Sequence, residues 1–143
     1  MIALIAADEG LGSGPIPIGL AHAGFEVVPV EGATQAADEV ERRGAEDCLV
    51  LLGEETYCRG LADGGPWDAL FDAHERLAVV VVAPGCAREE TRRLTRRPHR
   101  LLLVDPFDTA AVVAGAIRAS STARRRAQKV SPRGRLAVAK YAS

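Results

Sequence analysis

The chain has 143 residues, 48% of them apolar and 26% charged, with a formal net charge of −1. That length fits one domain with one core, and with only three Phe, two Tyr and one Trp the core must come from Val, Leu, Ile and Ala. No apolar run approaches the roughly 20 residues that span a bilayer, and Cys48, Cys58 and Cys86 lack the spacing of a disulfide framework or a zinc site.

Ile2–Ala7 is a short apolar run, long enough for a buried strand, followed by Asp8 and Glu9. It lacks the basic flank of a signal peptide, so a cytoplasmic location is expected. Gly10-Leu11-Gly12-Ser13-Gly14-Pro15 is a loop. Ile16–Ala23 predicts a short helix stopped by Gly24, with Pro17 confined to its first turn. Phe25–Val30 predicts strand two. Thr34–Arg43 predicts a helix capped by Thr34, with Ala36, Ala37 and Val40 on one face and Gly44 as its stop. Cys48–Leu52 is an uninterrupted apolar strand of the kind covered on both faces in parallel sheets. Glu54–Pro66 is expected to be a loop, Trp67–Arg76 a helix, Leu77–Ala83 the central strand and Arg88–Arg97 a charged helix. Leu101–Val104 predicts strand five, closed by Asp105-Pro106-Phe107-Asp108, and Thr109–Ser121 the last helix. Strand and helix alternate five times, which implies an α/β domain with a parallel sheet and helices on both faces. Ligands of such sheets bind at the carboxyl ends of the strands.

Charge divides the chain into an expected domain, 1–121, and a basic tail, 122–143. Residues 1–110 hold all 19 acids and residues 111–143 hold none. The tail carries Arg124, Arg125, Arg126, Lys129, Arg133, Arg135 and Lys140, with Tyr141 near its end. Ser131-Pro132-Arg133-Gly134 is expected to break any helix there.

Over residues 1–121 these features resemble the receiver domain of two-component response regulators, a CheY-like fold. The resemblance rests on Asp8-Glu9 after strand one, Ala23-Gly24-Phe25-Glu26-Val27-Val28 entering strand two, and the intervals between strand ends. It implies a doubly wound, flavodoxin-like sheet of five parallel strands in the order 2-1-3-4-5. It also implies a phosphorylation site at the carboxyl rim, and there the residues depart from the pattern. Gly53 stands where the family has its phospho-accepting Asp, Ala83 where it has Thr or Ser, and Asp105 where it has Lys. An aspartyl phosphate needs a carboxylate nucleophile, a metal and a balancing cation. Gly53 offers no nucleophile, and Asp105 would repel a phosphate. Asp8, Glu9 and Asp105 could offer oxygen ligands to a divalent cation, but they are read as solvated carboxylates, and no metal or cofactor is expected.

The expected function is a degenerate receiver, or pseudo-receiver: a signalling or scaffold module that acts without phosphorylation and is not an enzyme. Its partner would be another protein or a second copy, with no membrane contact. The resemblance places the output surface at Arg88–Arg97, Leu101–Val104 and Thr109–Ser121, together with the tail. The six arginines of Arg88–Arg100 are read as a solvated helix face beside Glu89 and Glu90. One alternative is a flavodoxin-like nucleotide- or flavin-binding protein or enzyme, with Gly10, Gly12, Ser13 and Gly14 cradling an anion. Another is nucleic-acid binding through the tail. Cys48 is expected in the core and Cys58 in a loop.

Overall fold

The structure, a computed structural model, describes residues 1–6, 14–58, 66–83, 96–103 and 108–142, with Cys58 and residues 127–142 described as backbone only. Five strands form one sheet: β1 (Ile2–Ala6), β2 (Glu26–Val30), β3 (Cys48–Gly53), β4 (Ala78–Val82) and β5 (Arg100–Leu103). Their order is β2-β1-β3-β4-β5, and every pairing is parallel. Both the expected fold class and the strand order are therefore observed.

Covering the sheet on both faces explains the uninterrupted apolar strands. Every residue of β1, β3 and β4 is buried. One face is covered by α1 (Pro15–His22) and α5 (Thr109–Ala142). There Ile16 and Leu20 meet Val112, Ala116, Ala119 and Ala123 over Ile5, Leu51 and Val80. The small residues of α5 let it lie close to the sheet; a Cβ added at Gly115 would stand 3.1 Å from Leu103 Cδ1. The other face is covered by α2 (Ala33–Arg43), α3 (Glu54–Cys58) and α4 (Pro66–Ala73). Ala36, Val40, Tyr57, Trp67, Leu70 and Phe71 pack there over Leu4, Leu52 and Val81.

Several local expectations are corrected. α2 starts at Ala33 with Gly32 at its N-cap and no side-chain cap. The Ala36 N–H, which a Thr34 cap would take, goes to the Gly32 carbonyl at 3.1 Å, and Gln35 Oε1 accepts the Glu31 N–H at 2.8 Å just before the helix. The expected loop after Gly53 begins with α3, because Tyr57 and Thr56 turn inward and helical backbone satisfies the buried N–H groups. α4 ends at Ala73 rather than Arg76, since His74 starts the turn whose carbonyl accepts the Leu77 N–H at 3.0 Å. Of the expected helix Arg88–Arg97, residues 88–95 lie outside the described residues, and 96–99 form a turn into β5. Arg100 belongs to β5 and is 4% exposed, so it is not part of a solvated helix face.

α5 runs through Ser121 and through Pro132 to Ala142. A proline forfeits one backbone bond, and the Ala, Arg, Gln, Lys and Leu around it favour helix strongly enough to continue it. Its buried positions Val112, Ala116, Ala119 and Ala123 recur every three or four residues.

Candidate functional site

The carboxyl rim of the sheet is built by strand ends. Gly53 closes β3 and stands in register with Val82 of β4. Ala83 follows β4 and donates its N–H to the Leu103 carbonyl at 2.6 Å, which ties the ends of β4 and β5 together. Gly53 is buried and Ala83 fully so. These two rim positions present neither a carboxylate nor a hydroxyl. The adjoining carboxylates differ: Glu54 is buried at the start of α3, and Glu55 is exposed.

Asp8, Glu9, Asp105, Gly10, Gly12 and Ser13 lie outside the described residues. Gly14 is described, at the N-cap of α1 with φ 80. Its backbone conformation is one that glycine adopts freely as the chain enters a helix opened by Pro15. Among the described residues, no group of three or more His, Cys, Asp and Glu is placed to hold a metal ion.

Beyond the rim, under α3 and α4, lies a cluster that sequence order did not reveal. The Tyr57 hydroxyl donates to Asp68 Oδ1 at 2.5 Å. The Tyr57 ring stacks on Phe71 at 5.9 Å between centroids, and Trp67 lies 6.1 Å from Phe71. The Arg100 guanidinium sits 5.4 Å from the Phe71 ring centroid. Its Nη2 donates to the carbonyls of Phe71 at 2.7 Å and His74 at 3.2 Å. Burial pulls the Arg100 pKa below the usual range for arginine, with Arg97 adding to the effect. Next to it, His99 Nε2 lies 2.6 Å from the Glu75 carbonyl, which fixes the proton on that nitrogen. Burial pushes the His99 pKa down. Arg100 and Leu102 share a face of β5, so alternation along Arg100–Leu103 was the available signal for an inward guanidinium.

The basic residues of the tail share one helix and are not gathered into a site. Arg124, Arg125 and Arg126 are exposed. Arg124 Nη2 is 3.8 Å from Asp47 Oδ1, and Asp47 directly precedes β3. α5 therefore crosses the sheet from the carboxyl rim to the amino edge. Lys129, Arg133, Arg135, Lys140 and Tyr141 follow on its backbone beyond that edge, on the side away from Gly53 and Ala83.

No family model and no curated protein matches the chain. Solved structures do match. NtrX from Brucella abortus, in a complex with ADP, aligns with a TM-score of 0.72 at 21% identity, over 95% of this chain and 29% of that one. The chain thus spans under a third of the length of the NtrX chains it matches. The receiver domain of the same NtrX aligns with a TM-score of 0.65 at 22% identity, covering 85% of this chain and 99% of that one. A response regulator receiver domain protein from Clostridium thermocellum gives 0.64 at 14% identity, over 90% of this chain and 97% of that one. With the strand order, the two-layer covering and these alignments together, the chain has the fold of response regulator receiver domains.

Proposed function

We propose that this chain is a receiver-like signalling or scaffold module that works without phosphorylation, through protein–protein interaction. The observation that carries this reading is Gly53 at the end of β3, where phosphotransfer in this fold would require a carboxylate. Fully buried Ala83 at the neighbouring strand end supports it, since no hydroxyl is available there either. In this reading Asp8, Glu9 and Asp105 are solvated carboxylates, the protein acts in the cytoplasm, and it catalyses no reaction.

The output surface combines β5, the exposed face of α5 and the basic extension. Leu101, Leu102 and Leu103 on this edge strand are only half-buried, and Ile117 on α5 is 46% exposed. Apolar side chains left open beside cations suit a protein partner with an acidic rim. The direction of α5 also bears on what the tail binds. It leads away from the carboxyl rim, which favours a second molecule over the chain's own body as the occupant.

Affinity capture with the full chain, and with a chain ending at Arg126, tests this reading. The truncation keeps Ala123 and its packing. Specific partners should be lost with residues 127–143 and should be indifferent to acetyl phosphate. Retention by the short chain, or binding that switches with acetyl phosphate, would overturn the reading. A second reading, nucleic-acid binding, is favoured by exposed Arg124–Arg126 on a helix without an acid. It predicts affinity that falls steeply with salt.

A further inference from the structure

A cavity of about 330 Å³ opens between α4 and the turn that enters β5. Arg96, Arg97 and Arg100 line it together with the aromatic rings of Phe71 and Tyr57 and with Asp68 and Asp72.

The three cations are partnered differently. Arg97 is held by Glu75 at 3.2 Å. Arg100 is 4% exposed, and among the described residues its bonded partners are neutral: two carbonyls and a ring face. Its Nε is buried without an acceptor. A desolvated cation hydrogen-bonded only to dipoles is costly, and an anion within reach offsets that cost. Asp72 and Glu75 attract Arg100 through space, with no hydrogen bond to it. Asp68 accepts the Tyr57 hydroxyl. With Arg97 paired to Glu75, Arg100 is the buried guanidinium of the described lining with no carboxylate bonded to it.

We propose that this cavity binds a small oxyanion, a phosphate or carboxylate group, between Arg100 and Arg96. The planar guanidinium of Arg100 is already fixed by Phe71 and His74, so the edge of it that lines the cavity is preorganised for an oxygen acceptor. The exposed Arg96 closes over the anion from the solvent side. Such a site would give the module a reversible chemical input on a face other than its carboxyl rim. It stands apart from the reading of Gly53, because binding is non-covalent and leaves the protein mass unchanged.

The test is a titration of the full chain with sodium phosphate or acetate, against sodium chloride at matched ionic strength. The reporter is the side-chain Nε–H signal of Arg100 in ¹H–¹⁵N spectra. A saturable shift with an oxyanion but not with chloride is expected. Arg96→Ala should weaken binding about tenfold, and Asp72→Asn should tighten it by a similar factor. Arg100→Met, which lacks that reporter and is read by isothermal titration calorimetry beside the parent chain, should bind no oxyanion, and it should fold, because an apolar side chain of similar length relieves the buried charge. Arg96 and Asp72 are exposed, so their variants test the site without disturbing the core. No saturable shift, an equal response to chloride, or affinity unchanged by both exposed substitutions would overturn the proposal.

Discussion

Leu51 and Leu52 are adjacent on β3, fully buried, and face opposite layers. Leu51 meets the α1–α5 layer and Leu52 the α2–α4 layer. In an open sheet with one wet face, one of the two would be exposed and cheap to truncate. Here Leu51→Ala and Leu52→Ala should both be costly. Each removes three carbons, worth ~0.8 kcal/mol apiece in transfer free energy, or ~2.4 kcal/mol. The cavity left in a packed core brings each cost to about 3–4 kcal/mol. For a domain of this size that corresponds to a loss of roughly 10 °C in Tm. Val28→Ala on edge strand β2, where the side chain is only half-buried, should cost less than half as much. Urea denaturation followed by far-UV circular dichroism measures all three. If either leucine variant stayed within about 0.5 kcal/mol of the parent, the reasoning from two covered faces would fail.

Stability should fall as pH drops below about 6.5, the ordinary histidine value. His99 titrates lower when folded, so the unfolded chain binds the proton first; the loss grows from 6.5 down to the folded pKa and then levels off. His99→Gln should flatten that part of the pH–stability curve. The Cys48 thiol is buried and pushed up to about 11, chiefly by burial. Mass-mapped maleimide labelling should therefore reach Cys48 only after denaturation. Gly19 packs against α5, where an added Cβ would stand 3.0 Å from Val113 Cγ2 and 3.2 Å from Thr109 Cγ2. Gly19→Ala should be close to neutral, its helix preference of ~1 kcal/mol offset by that crowding, whereas Gly19→Leu should cost about 1–3 kcal/mol. Thermal melts check both.

The sheet was legible because its strands are unbroken. Ile2–Ala6, Cys48–Leu52 and Ala78–Val82 hold no charged residue, the pattern of strands in a doubly covered parallel sheet. Helix starts were less legible. At α2, the Ala36 N–H bonds the Gly32 carbonyl and the helix starts before Thr34 can cap it, a choice local composition does not reveal. At α3, five residues after Gly53 become helical because Tyr57 finds Phe71 and Asp68, which come from a later element. The rim residues Gly53 and Ala83 could be located by chain interval alone, since strand ends set their positions. Arg100 could not be separated from its arginine-rich neighbours in this way. Its environment comes from Phe71, 29 residues away, and only the inward position it shares with Leu102 hinted at burial. The course of α5 past Pro132 was missed because one residue's penalty was weighed without the helix formers on both sides.

Intact-protein mass spectrometry after incubation with acetyl phosphate and Mg²⁺ addresses the core of the account: a receiver fold whose third strand ends without a nucleophile. The account predicts an unchanged mass. A gain of one phosphoryl group, mapped to any carboxylate and removed by hydroxylamine, would contradict it.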